Sequence, residues 1–189
     1  MSTKMATPED YKFFDFLAPY RWPNKSKKQI AQYRELVADG ELQIETVLEN
    51  ALAVASNGLY TRIAEDSKDF CDGSDSKKSS SQFRNNDIKR DHWTNSCAVT
   101  KLKNKTGLIR ALIYSKVPDK FYFFAIPYEA YKGMNRVDIL LDSSVGYREP
   151  KGIPYGKWTH YQVPDFETLA TISHETQHQK YREYTRIYG

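Results

Sequence analysis

Phe121-Tyr122-Phe123-Phe124-Ala125-Ile126 is apolar at successive positions, so both faces of a strand built from it are greasy. Such a strand needs cover on both sides, which puts it at the centre of a sheet. Working backwards, residues 108–117 and 98–103 have the composition of two more strands, parted by the turn signals Pro118-Asp119 and Asn104-Lys105-Thr106-Gly107. Working forwards, a helical stretch near residues 127–132 and a strand at 136–141 are followed by a Gly- and Pro-containing excursion over 142–156. A short strand at 157–163 and a final helix capped by Asp165 close the chain.

The N-terminal part reads as helical. A first helix over residues 8–17 carries Phe13, Phe14, Phe16 and Leu17, and the segment 19–23 with its two prolines breaks it. Ser26 caps a second helix reaching Asp39, with Ile30, Tyr33, Leu36 and Val37 at helical spacing, and Gly40 ends it. A third helix over 41–57 stops at Asn57-Gly58; its Leu48, Ala51, Leu52 and Ala55 mark it as largely buried. Glu45 and Glu49 share a face of that helix, and Glu49 lies nearer the apolar flank.

The expected fold class is therefore α/β, a central mixed β-sheet flanked by helices. One domain over 1–189 divides into an N-terminal helical part (1–40), a candidate core (41–132) and a C-terminal extension (133–189). At 40% hydrophobic and 14% aromatic the 189 residues are globular rather than disordered. No apolar run approaches the roughly 20 residues that cross a bilayer, and the first residues lack the apolar stretch of a signal peptide. Cys71 and Cys97 are too few for a disulfide scaffold, so a reduced, cytoplasmic setting is expected.

Between the third helix and the strands lies Asp69-Phe70-Cys71-Asp72-Gly73-Ser74-Asp75-Ser76-Lys77-Lys78. It reads as a hairpin, with Asp69 on one strand, Gly73-Ser74 in the turn, and Asp75 and Lys77 sharing a face of the return strand. Two carboxylates and an ammonium then meet. Carboxylates with open positions suit Mg²⁺, and a lysine beside metal-bound water positions it or takes its proton. The Gly, Ser, Asp and Lys content also suits a flexible linker, but a linker has no reason to sit between a buried helix and a buried sheet.

Asp69, five intervening residues and Asp75-Ser76-Lys77 resemble the acidic-(x)n-(D/E)-x-K signature of the PD-(D/E)xK nuclease superfamily, over roughly residues 45–127. The short gap is most similar to mismatch-repair nicking endonucleases and their restriction-enzyme relatives. Lys68 stands where a proline precedes the first acid, and the middle acid is Asp, which leaves the first acid open among Asp66, Asp69 and Asp72. The resemblance implies a restriction-endonuclease-like core and a metal-dependent DNA endonuclease of the restriction or homing type. It implies Asp69 and Asp75 as ligands of Mg²⁺, with Mn²⁺ able to substitute, and Lys77 as the residue that activates water. Glu49 or Asp72 would complete the shell, and a symmetric homodimer is the simplest way to cut both strands.

Charge distribution fits a DNA partner. Residues 76–120 hold eleven Lys or Arg against three acids, a local excess of +8 in a chain of net charge +4. Lys78, Arg84, Lys89, Arg90, Lys101, Lys103 and Lys105 are the candidate phosphate contacts. The segment 84–94 is expected as an irregular loop, with His92 and Trp93 interleaved among the cations. A non-catalytic nucleic-acid-binding protein would use the same block.

His174-Glu175-Thr176-Gln177-His178 matches H-E-x-x-H, in which two histidines four apart reach one Zn²⁺ and the glutamate acts as base. A third protein ligand is missing downstream. Tyr184 stands where one zinc-protease class has histidine, and Glu183 is too close on the same helix. A polar surface helix is therefore preferred to a zinc hydrolase.

Overall fold

The computed structural model describes residues 6–63, 65, 67–87, 92–145 and 152–189. Three helices come first: α1 (Pro8–Arg21), α2 (Lys27–Ala38) and α3 (Ile44–Ala55). α1 and α2 both begin with a reciprocal capping box, Thr7 with Asp10 and Ser26 with Gln29, so the orphan N–H groups of each first turn are satisfied locally. Pro19 does not break α1 as expected. It sits in the last turn of the helix, where the chain is about to end anyway, and Trp22 still donates its N–H to the Ala18 carbonyl. α3 buries Leu48, Ala51 and Leu52 as its spacing predicts, together with Ile44 and Val47, while Ala55 at its end is only half-buried.

Two sheets follow. The mixed sheet has the order β1 (Asp75–Ser80), β4 (Ile109–Ser115), β5 (Lys120–Ile126), β7 (Gln162–Val163). β1 runs parallel to β4, and the other pairs are antiparallel. A second, antiparallel sheet has the order β2 (Gln82–Asp87), β3 (His92–Val99), β6 (Val137–Val145). The chain crosses between the sheets at Ser81, whose N–H donates to the Tyr114 carbonyl and whose Oγ accepts from the Lys116 N–H, both at 2.9 Å.

β4 and β5 show why the mixed sheet is central. Leu112, Tyr114 and Ala125 point into a core with Phe13, Leu17, Leu48 and Leu52, while Ile109, Ala111, Ile113, Phe124 and Ile126 face the second sheet at Val99, Ile139 and Leu141. The layers are thus helices, mixed sheet, second sheet. The expected mixed sheet flanked by helices is present, and the second sheet covers its other face. Residues 133–189 are woven into both cores through Leu141, Trp158, Phe166 and Leu169.

Other expectations need correction. Of the segment 84–94 expected as an irregular loop, residues 84–87 belong to β2 and residues 92–94 to β3, while residues 88–91 lie outside the described residues; Gln82, Phe83 and Arg84 are exposed on an outer strand. Residues 157–161 form a 3-10 turn rather than a strand. The final helix is two helices, α5 (Phe166–Thr171) capped by Asp165 and α6 (His174–Tyr188) capped by Ser173. Ile172 between them is extended, and its carbonyl is taken by Arg110. The short α4 (Tyr128–Tyr131) lies where a helical stretch is predicted. Among the described residues, no helix is long and apolar enough to cross a membrane.

Candidate active site at the edge of the mixed sheet

The predicted hairpin is half right. Residues 70–73 form a tight turn closed by Gly73 N–H to the Phe70 carbonyl at 3.0 Å, and Gly73 has φ +90°, which suits glycine. The arm carrying Asp69 is not a strand, however. It is fastened by the Arg62–Phe70 bridge and by buried Phe70 against Tyr60, while β1 takes its strand partner from β4.

This arrangement brings Asp69 beside β1. Its Oδ2 accepts from the Ser76 N–H at 2.8 Å and the Ser76 hydroxyl at 2.9 Å. Asp75 opens β1 and is 2% exposed. Asp75 and Lys77 stand opposite Ile109 and Ala111, so they share the face that the two-residue repeat predicts. Lys77 Nζ is 3.8 Å from Asp75 Oδ2, and Lys105 Nζ is 3.1 Å from Asp75 Oδ1. Glu49 reaches the same cleft from α3 and pairs with Arg62, and the more exposed Glu45 borders the cleft, its Oε1 3.4 Å from Lys78. Glu49, Asp69, Asp75, Ser76, Lys77 and Lys105 together line an open cleft at the edge of the sheet.

The electrostatics follow from burial. Loss of water raises the Asp75 carboxyl from 3.8 to about 6, Asp69 adds to the rise, and Lys105 opposes it. Burial likewise raises Glu49, against Arg62 and with Asp69. The Lys77 ammonium is pulled below the usual lysine range by burial, Asp75 opposing and Lys105 reinforcing. Two adjoining carboxylates under this strain form a donor set that suits a hard cation. Mg²⁺ is held by one or two carboxylates together with waters, so Asp69 and Asp75 suffice.

The raised Asp75 pKa has a sign that can be checked. A carboxyl that binds its proton more tightly folded than unfolded adds stability that is fully present below about pH 4 and lost as the pH rises through about 6. The shift corresponds to roughly 3 kcal/mol. Urea titrations without divalent metal should show wild type losing stability between pH 4 and 7 relative to Asp75→Asn, in which this slope is missing. Parallel pH profiles for the two proteins would contradict the assignment.

Other predicted residues are dispersed. Asp72 faces away from the cleft: its Oδ1 accepts from the Ser74 N–H and hydroxyl, and its Oδ2 from Arg110 Nη2 at 3.0 Å. Asp66, Lys89 and Arg90 lie outside the described residues. Lys78 follows Lys77 on β1 and still borders the cleft, its ammonium over the Phe13 ring and 3.4 Å from Glu45 Oε1. Arg84 is exposed on β2, where it donates to the Gln82 side chain. Lys101 and Lys103 are exposed on the loop between β3 and β4 that also carries Lys105, and His92 and Trp93 belong to β3. The basic block is therefore not one field, since Arg110 is buried and Lys116 pairs with Glu9 at 2.9 Å.

The H-E-x-x-H helix holds a different constellation from the one sought. His178 Nδ1 lies 2.8 Å from Glu129 Oε1, and His174 Nε2, which accepts from the Tyr128 N–H at 3.4 Å, lies 3.1 Å from Glu129 Oε2, so a carboxylate from α4 stands beside both rings. Burial pushes Glu129 upward, but its own backbone N–H and the two histidines outweigh this and hold it below the usual range. Glu175 is exposed. Catalytic zinc needs three protein ligands around an open position. Among the described residues no three or more His, Cys, Asp or Glu side chains are grouped to hold a metal ion.

Comparison with known proteins finds no matching family model, no similar curated protein and no similar solved structure.

Proposed function

We propose that the protein is a Mg²⁺-dependent DNA endonuclease with a restriction-endonuclease-like core of the PD-(D/E)xK type, and that the Asp69–Asp75–Lys77 cleft is its active site. The observation that carries this reading is the buried Asp75 sharing one strand face with Lys77 and one cleft with Asp69. Asp69 and Asp75 would hold the metal, with Glu49 at the rim. When bound, the ion would supply charge for the phosphate and acidify a water. Lys77, its ammonium pKa lowered by burial, would orient the attacking water and take up its proton as the water oxygen bonds to phosphorus and one P–O ester bond breaks, the leaving oxygen taking a proton from solvent. Lys78 at the cleft and the exposed Lys101, near enough to Lys77 to act on its ammonium, suit backbone phosphates. One cleft cuts one strand, so double-strand cleavage calls for a two-fold homodimer.

Supercoiled plasmid and phage DNA incubated with the protein in Mg²⁺, in Mn²⁺ and in EDTA test the reading. Nicked or linear products are expected with either metal, none in EDTA, and none with Asp69→Asn, which keeps an acceptor for Ser76. Salt-sensitive DNA binding with no cleavage in any metal would sink the proposal and leave a nucleic-acid-binding protein.

A further inference from the structure

Lys105 is the residue whose position the motif does not explain. It belongs to the loop between β3 and β4, yet its Nζ is nearer to Asp75 than that of Lys77, at 3.1 Å against 3.8 Å. The loop is fixed at both ends. Leu102 is buried and donates its N–H to the Asn135 carbonyl, and Lys103 N–H donates to Asn135 Oδ1. Gly107 packs so closely on Gly73 that a Cβ would lie 1.9 Å from the Gly73 carbonyl oxygen, and its own carbonyl accepts from the Tyr131 hydroxyl at 2.6 Å. Between these anchors Lys105 N–H closes a turn onto the Leu102 carbonyl at 3.0 Å, and the side chain is 13% exposed. The contact with Asp75 is thus built into the fold.

We infer that Lys105 is a displaceable counter-ion: without metal its ammonium holds Asp75 Oδ1, and a divalent cation binding Asp69 and Asp75 must push it aside toward the place of the DNA phosphate. The inference rests on the proposed active site. Asp75 is buried, so its ionised form requires a cation close by. A second cation at the same oxygen repels the ammonium, and the long, flexible lysine stem is able to swing clear. Lys105 would therefore be a positioning residue that sets the metal concentration at which the site fills and carries a charge to the substrate at that moment.

Mn²⁺ affinity measured by calorimetry and by the electron-spin signal of free Mn²⁺ tests this on the full chain without DNA. Lys105→Met and Lys105→Gln should bind Mn²⁺ at least about tenfold more tightly than wild type, because a positive charge a few ångströms away opposes the ion even under surface-like screening. Asp75→Asn should abolish that binding. In wild type, mass-spectrometric labelling of amines should show Lys105 becoming more reactive when Mn²⁺ is added, a readout that needs no variant to fold. Equal or weaker Mn²⁺ binding in the Lys105 variants, or labelling of Lys105 indifferent to metal, would overturn the counter-ion role while wild-type binding that depends on Asp75 kept the active-site reading. No Mn²⁺ binding by wild type would remove both.

Discussion

Replacing Lys77 with alanine should lower metal-dependent plasmid cleavage by about 10²- to 10⁴-fold, the range spanned by a positioned acid or base, while melting temperature and DNA affinity stay near those of wild type. Stability is retained because burial already disfavours the Lys77 ammonium, and Lys105 continues to pair with Asp75 at 3.1 Å when Lys77 is gone. The pH profile separates the two groups. Asp75 has to be ionised to hold a cation, so kcat/KM should fall as the pH drops through about 6, and rising Mg²⁺ should move that limb to lower pH by competing with the proton. Lys77 acts as a base only when neutral, so the rise toward alkaline pH should vanish in Lys77→Arg, whose guanidinium stays charged. A Lys77→Ala protein that cleaves within about threefold of wild type would remove Lys77 from the chemistry, because a proton-transfer role requires at least about a hundredfold.

What could be learned without coordinates was set by how far each signal reaches along the chain. The double-sided apolarity of Phe121–Ile126 is local, and β5 is indeed covered on both faces; the capping residue Ser26 and the apolar stripe of α3 were equally legible. β2 was not, because an exposed outer strand has no apolar alternation to read. Neither was the parallel pairing of β1 with β4, between which β2 and β3 intervene in the chain. The spacing of Asp75 and Lys77 predicted a shared face and obtained it. The role of Asp72 depends on a guanidinium 38 residues away, and the partner of Asp75 on an ammonium 30 residues away. No local pattern carries that information. The H-E-x-x-H spacing directs attention downstream of His178 for a third ligand, whereas the carboxylate beside both histidines, Glu129, comes from upstream, since α4 and α6 meet only through the tertiary fold.

The buried guanidinium is also where the largest loss of stability is expected. Arg110 is 2% exposed and lies over the Tyr60 ring, its carbon 4.5 Å from the centroid. It donates to Ser74 Oγ, to the Leu169 and Ile172 carbonyls and to Asp72 Oδ2, at 2.7–3.1 Å. One side chain thereby ties the turn beside Asp69 to the break between α5 and α6. Arg110→Met keeps the volume but strands the partly buried Asp72 carboxylate and two carbonyls, and breaking a buried pair in this way costs about 3–5 kcal/mol. At about 2–4 °C per kcal/mol for a chain of this size, melting should fall by roughly 6–20 °C. Arg110→Lys should rescue little, because a single ammonium cannot reach four acceptors in a planar fork. Where Arg110→Met still folds, at low temperature, the loosened turn should also weaken Mn²⁺ binding through Asp69. Melting within about 2 °C of wild type, a shift worth at most about 1 kcal/mol, would mean that the guanidinium is not the anchor of this junction. Asp72 would then be free to turn toward the cleft, and the choice of the first metal acid between Asp69 and Asp72 would reopen.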